Sequence, residues 1–246
     1  LDEKLNNAGL IGDGVQLIIS PIVGTSNFLL ESRSNLYTKD GIVDDASKAT
    51  NYYINGIQNS KENIEEVLNM ENTDTVARHN PKNSSFADVV ESGLGKVFNF
   101  LGLGGTSRMS RLEAKDIYDR KDMENVNNVS HSQGTIIMTG ALQYYKDRYG
   151  TDNINQTQNF VFTGPAVNKS QAKNAVRNVG LNVIKSSNTT SNFEYEHDEA
   201  DPVNYITNIN RLPEGIKKGA KGELDFKKHT FIYNENYYKY LLLNRK

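Results

Sequence analysis

The chain has 246 residues, a net charge of −2 at pH 7, 37% hydrophobic residues and no cysteine. The balanced charge, with no sustained basic run, removes the electrostatic footing for nucleic-acid binding, and the missing cysteine excludes disulfides, thiol catalysis and cysteine-held zinc. No apolar run reaches the roughly 18 residues that a membrane-spanning helix needs, while the length suffices for one α/β domain with a full core.

Val15–Ile19 and Asn27–Leu30 are short apolar runs bounded by Gly, Pro and Ser, and read as strands. Tyr52–Ile54 is a stronger strand, closed by Asn55-Gly56. Ser60 stands where a helix N-cap belongs, ahead of Ile64, Val67 and Leu68 at helical spacing. Thr75–Arg78 reads as the next strand, stopped before Asn80-Pro81, and a helix is expected from Ser85 toward Phe98. Glycines from Gly102 to Gly105 break it. Segment 97–110 reads first as a buried, glycine-capped helix end and second as a lid.

A further helix is expected over Ser110–Arg120, then a strand over Val126–Val129 and a helix over Thr135–Tyr149. Gly150 stands where glycine relieves a left-handed backbone at a helix end. Asn159–Thr163 is a strand ending at Gly164-Pro165, Ser170–Asn178 a helix, and Leu181–Ile184 and Phe193–His197 are strands. Tyr237, Tyr238 and Tyr240 with Leu241–Leu243 read as a last helix against the core, or as an interfacial anchor. The alternation implies one domain over 1–246, with a mostly parallel sheet and helices on both faces.

Between the Val126–Val129 strand and the helix that follows stands Ser130-His131-Ser132-Gln133-Gly134. This is the layout of a nucleophile elbow, a sharp strand-to-helix turn that lifts a serine oxygen above a parallel sheet. Ser132 must then adopt a strained backbone, with small neighbours two positions away on either side. Gly134 meets that demand; Ser130 stands where the usual pattern has glycine.

A serine hydroxyl attacks only when a base takes its proton, and a third group must orient the base. With this kind of elbow the chain order is serine, acid, histidine. His79 lies upstream. His131 precedes the serine directly and points to the other face of its strand, so it is assigned to packing. His197 has no convincing acid between it and the elbow, which leaves His229 as the base. Asp201 is the chosen acid because Pro202 favours an extended backbone and stiffens its loop; Asp198 and Glu199 are the substitutes. Asp198-Glu199-Ala200-Asp201 also spells a helicase signature, but the phosphate-binding loop that it needs is missing from the sequence. His197, Asp198, Glu199 and Asp201 lack a spacing that converges on one ion, and neither metal nor cofactor is expected.

Four features together resemble the lipase branch of the α/β hydrolases, and class 3 lipases in particular. They are the elbow, Phe162-Thr163-Gly164-Pro165-Ala166-Val167-Asn168, Asp201-Pro202-Val203 and the late His229. The resemblance covers roughly Asn125 to Tyr240. It implies an α/β-hydrolase fold with Ser132, Asp201 and His229 as the triad. It also implies an oxyanion hole made by the N–H of Gln133 and one from Ile57 or Gln58, where losing a donor typically costs ~10²–10³ in rate. The implied substrate is an acyl ester, with lipid first and phospholipase A-type cleavage ahead of triglyceride hydrolysis. A non-lipid esterase or thioesterase is the nearest alternative. An inactive hydrolase fold serving as a binding module is the alternative from another class.

Asn55-Gly56-Ile57, Asn80-Pro81 and the elbow are together similar to toxin domains at the C-termini of large bacterial surface proteins of the filamentous haemagglutinin type. That resemblance implies delivery by a parent protein, transient contact with a membrane surface and an immunity-type protein partner. A start at Leu1, without methionine or export signal, reads as a segment of something longer.

Overall fold

A computed structural model of the protein describes residues 35–54, 61–69, 75–79, 108–151, 153–184, 191–201, 205 and 212–225, and the single positions 228, 231, 234, 237 and 239. All belong to the unit Ser34–Lys246. The strands expected over 15–19 and 27–30, the helix over 85–98, most of the segment 97–110 and nearly all of the last helix lie outside the described residues. The single-domain expectation likewise reaches beyond them at its N-terminal side.

Among the described residues seven strands form one sheet: β1 Leu36–Thr38, β2 Gly41–Val43, β3 Asn51–Ile54, β4 Thr75–Arg78, β5 Asn127–His131, β6 Asn159–Thr163 and β7 Phe193–Glu196. Their order is β2-β1-β4-β3-β5-β6-β7. The run from β4 to β7 is parallel, and β1 is antiparallel to both β2 and β4. Helices α1 Lys61–Asn69, α2 Arg108–Asp119, α3 Gly134–Tyr149, α4 Lys169–Asn178 and α5 Leu212–Ala220 complete the described elements.

Alternation along the strands sorts side chains into two layers. Tyr52, Ile54, Phe160 and Phe162 join Met109, Ile117, Met138, Leu142 and Val176 of α2, α3 and α4 in one core. Tyr53, Ala77, Val129 and Val161 face the other way, onto Ile64, Val67 and Leu68 of α1 and onto Phe231 and Tyr237. Helices on both faces explain why β3, β4 and β5 are buried along their whole length. The expected α/β class, a mostly parallel sheet with helices on both faces, is what the described residues adopt.

Polar side chains set the strand register. Asn51, Asn127 and Asn159 are direct neighbours across β3, β5 and β6. Asn127 Nδ2 donates to Asn51 Oδ1 at 3.3 Å and Asn159 Nδ2 to Asn127 Oδ1 at 3.1 Å. A slip of either strand would bury these amides without partners, so the ladder fixes where the strand ends fall.

Three expectations need correction. Leu181–Ile184 is not a strand; Asn192 holds it instead, donating its N–H to Asn182 O at 2.7 Å and accepting from Asn182 N through Oδ1 at 3.1 Å. The elbow strand runs two residues past Val129, through Ser130 and His131. Gly150 has φ +89° and ψ −171°, a region open to glycine but not the left-handed helical one. The hairpin of β1 and β2 is unforeseen because each strand is only three residues long.

Candidate active site

Ser132 follows the last residue of β5 and lies two residues before the first of α3. Its φ is +52°, and among the described residues only Asn125 shares a positive φ without being glycine. For a residue with a Cβ this conformation costs roughly 1–2 kcal/mol, and it persists only where the surroundings hold it. Here they do. Ser132 N–H donates to Thr163 O at 3.1 Å, and Ser132 O accepts Thr135 N–H at 3.0 Å and Thr135 Oγ1 at 2.6 Å. Thr135 Oγ1 also accepts Ala166 N–H at 3.0 Å, tying the turn to the loop after β6. Sequence reading passed over Thr135; a hydroxyl in the first turn, directly ahead of the apolar run Ile136–Met138, was the available signal.

Ser130, at the position where the expected pattern has glycine, donates its hydroxyl to Val161 O of the neighbouring strand at 3.0 Å. Gln133 is already helical, at φ −58° and ψ −30°, so its N–H belongs to the start of α3, where aligned peptide dipoles favour negative charge. The serine is not presented to solvent as expected of an elbow: it is 3% exposed.

The three candidate acids are separated by their surroundings. Glu199 is more than half exposed and engaged by His197 Nε2 at 2.9 Å, Tyr205 Oη at 2.6 Å and Lys218 Nζ at 3.3 Å. Asp198 closes a turn by accepting Ala200 N–H through Oδ1 at 2.9 Å, and its Oδ2 accepts Asn234 Nδ2 at 3.3 Å. Asp201 is 0% exposed and accepts the Tyr237 hydroxyl through Oδ2 at 3.1 Å. Because β5, β6 and β7 are parallel, Ser132 and Asp201 both leave the sheet at its C-terminal edge. That edge is where open α/β sheets bind ligands.

His131 is buried with Nδ1 3.1 Å from Thr163 O. A carbonyl only accepts, so Nδ1 carries a proton. Its ring meets Phe231 and Tyr237, each with centroids 5.5 Å away, in keeping with the packing role assigned to it. The base expected at His229 and the oxyanion donor expected at Ile57 or Gln58 lie outside the described residues.

Sequence reading missed a second buried polar cluster entirely. Tyr52 Oη lies 2.6 Å from Glu113 Oε2, 2.7 Å from Asp116 Oδ2 and 3.0 Å from Arg78 Nε. Arg78 also pairs with Asp116, and the Arg120 guanidinium lies over the Tyr52 ring at 3.9 Å. All five are buried. Glu113 Oε1 and both Arg120 Nη atoms have no hydrogen-bond partner among the described residues. Burial first, then the Asp116 charge, push the Glu113 carboxyl up to about 7.

Among the described residues no group of three or more His, Asp or Glu is arranged to hold a metal ion, and no helix is long and apolar enough to cross a membrane. No protein-family model, curated protein or solved structure matches the chain.

Proposed function

We propose that the protein is a serine hydrolase of the α/β-hydrolase type that cleaves an acyl ester through Ser132. The observation that carries the reading is the positive φ of Ser132 at a strand-to-helix turn on the C-terminal edge of a parallel sheet. A backbone strained at a non-glycine residue, and held there by Thr135 and Thr163, is the arrangement that a nucleophile elbow requires. The burial of Asp201 beyond the same edge supports it as the orienting acid.

In this reading Ser132 Oγ attacks the ester carbonyl while His229 takes its proton and Asp201 stabilises the imidazolium. The N–H groups of Gln133 and of Ile57 or Gln58 hold the oxyanion. Collapse expels the alcohol with the proton returned by His229. Water, deprotonated by the same base, then releases the acid and restores the serine. The chemistry needs neither metal nor cofactor.

Lipid as the acyl donor, with phospholipase A-type cleavage first, rests on the resemblance to class 3 lipases. Delivery as a toxin domain, with an immunity-type partner, rests on the second resemblance. Fluorophosphonate labelling of wild type and Ser132→Ala, alongside mixed phospholipid liposomes carrying labelled acyl chains, tests the whole. Labelling lost in the variant, with fatty acid released by wild type, is the expected result. Labelling without release would move the substrate to a non-lipid ester or thioester. A folded wild type that takes no label would favour the binding-module alternative.

A further inference from the structure

Resting on the assignment of Ser132 and Asp201, we propose that the Tyr237 hydroxyl is a positioning group that sets the orientation of the Asp201 carboxylate toward the catalytic base. A phenol has one proton to give and lone pairs to receive with. Asp198 N–H donates to Tyr237 Oη at 3.1 Å, which uses the oxygen as an acceptor. The phenolic proton then goes to Asp201 Oδ2, also at 3.1 Å. One hydroxyl thus joins the backbone of the acid loop to the acid at its far end. With one carboxylate oxygen held, the roll of the group about its Cβ–Cγ bond is fixed.

The hydroxyl is itself held in place. The Tyr237 ring is fully buried and lies against the His131 ring. His131 is anchored through Nδ1 to Thr163 O, and the same carbonyl accepts the Ser132 N–H. A continuous set of contacts therefore runs from the serine turn through Thr163, His131 and Tyr237 to Asp201. Desolvation foremost, then the Asp201 charge, push the Tyr237 pKa far above the usual phenol value, so the group stays a donor across the working range. Asp225 N–H to Ala200 O at 2.8 Å, and the Asp198 and Glu199 contacts above, steady the rest of the loop.

Tyr237→Phe keeps the ring and its packing and removes one oxygen. With the full chain, second-order fluorophosphonate labelling should slow about tenfold, the scale of one hydrogen bond to a charged group. The acid limb of its pH–rate profile should move to lower pH, because a carboxylate free to roll away from the base stabilises the protonated base less. In an Asp201→Asn background the same substitution should add little, since the two groups act as a unit. A folded Tyr237→Phe with the wild-type rate and profile overturns the inference, and so does a rate loss that only tracks a smaller folded fraction with an unmoved profile. Should the variant fail to fold, 3-fluorotyrosine at 237, a stronger donor of nearly the same shape that holds the carboxylate more firmly, should move the acid limb up; an unmoved limb overturns it. A wild type that takes no label at Ser132 overturns the hydrolase reading and this inference with it, whereas a labelled wild type with an indifferent Tyr237 removes the inference alone.

Discussion

Two tyrosines each bond a buried carboxylate, on opposite faces of one sheet, and their settings differ. Tyr52 meets Glu113 and Asp116 between β3, β4 and α2, with Arg78 and Arg120 beside it. Every member of that cluster but Arg120 sits on a regular element, and Arg120 directly follows α2. Tyr237 meets Asp201 in a loop beyond the strand ends, against the residue next to a strained serine. The first arrangement balances charge inside a rigid layer and serves the fold. The second holds Asp201 in a loop at the C-terminal edge of the sheet, and in the proposed reading it orients the catalytic base. Burial of a carboxylate alone therefore does not mark a site; the element that carries it and the edge it faces do.

The largest effect should come from breaking the first cluster. Arg78→Ala leaves Glu113 and Asp116 short of a cation and should cost about 3–5 kcal/mol in urea unfolding. Labelling per folded molecule should stay unchanged, and a loss there would join the two regions. Next is pH. Glu113 holds its proton more tightly in the folded state, so its contribution to stability is complete below about 4.5 and lost as pH rises toward about 7. Over that window wild type should lose up to ~3 kcal/mol relative to Glu113→Gln. Burial pushes His79 down, which makes stability rise with pH over part of the same range; the difference between the two unfolding curves isolates Glu113.

Smaller effects probe the serine turn and the strand register. Thr135→Val removes the hydroxyl that serves both Ser132 O and Ala166 N. It should cost ~2 kcal/mol of stability and, unlike Arg78→Ala, slow labelling of the folded protein as well. Asn159→Ala shortens the amide ladder and should cost ~1 kcal/mol, read as a shift in urea midpoint with labelling unaffected.

Much of this architecture was legible from local pattern. β3, β4 and β6 are apolar or β-branched runs with nearby Asn-Gly, Asn-Pro or Gly-Pro stops, so propensity and punctuation agree. The strand-to-helix turn at Ser132 was legible because steric demands restrict what can flank a residue at positive φ. Glu113, Asp116 and Arg120 were not, because charged residues at helical spacing read as a solvated face until Tyr52 and Arg78 are brought against them. Leu181–Ile184 misled for the opposite reason: it has a strand's composition, but its bonds to Asn192 ahead of β7 do not extend into a ladder among the described residues. Tyr237 read as packing, which it is, but the partners of its hydroxyl emerge only once the fold carries Asp198 and Asp201 to it.

The most direct test of the account is to label the wild-type chain with a fluorophosphonate and map the adduct by peptide mass spectrometry. One adduct on the peptide that carries Ser132, lost in Ser132→Ala, is the predicted result. A folded chain with no adduct, or with the adduct on another serine, would contradict it.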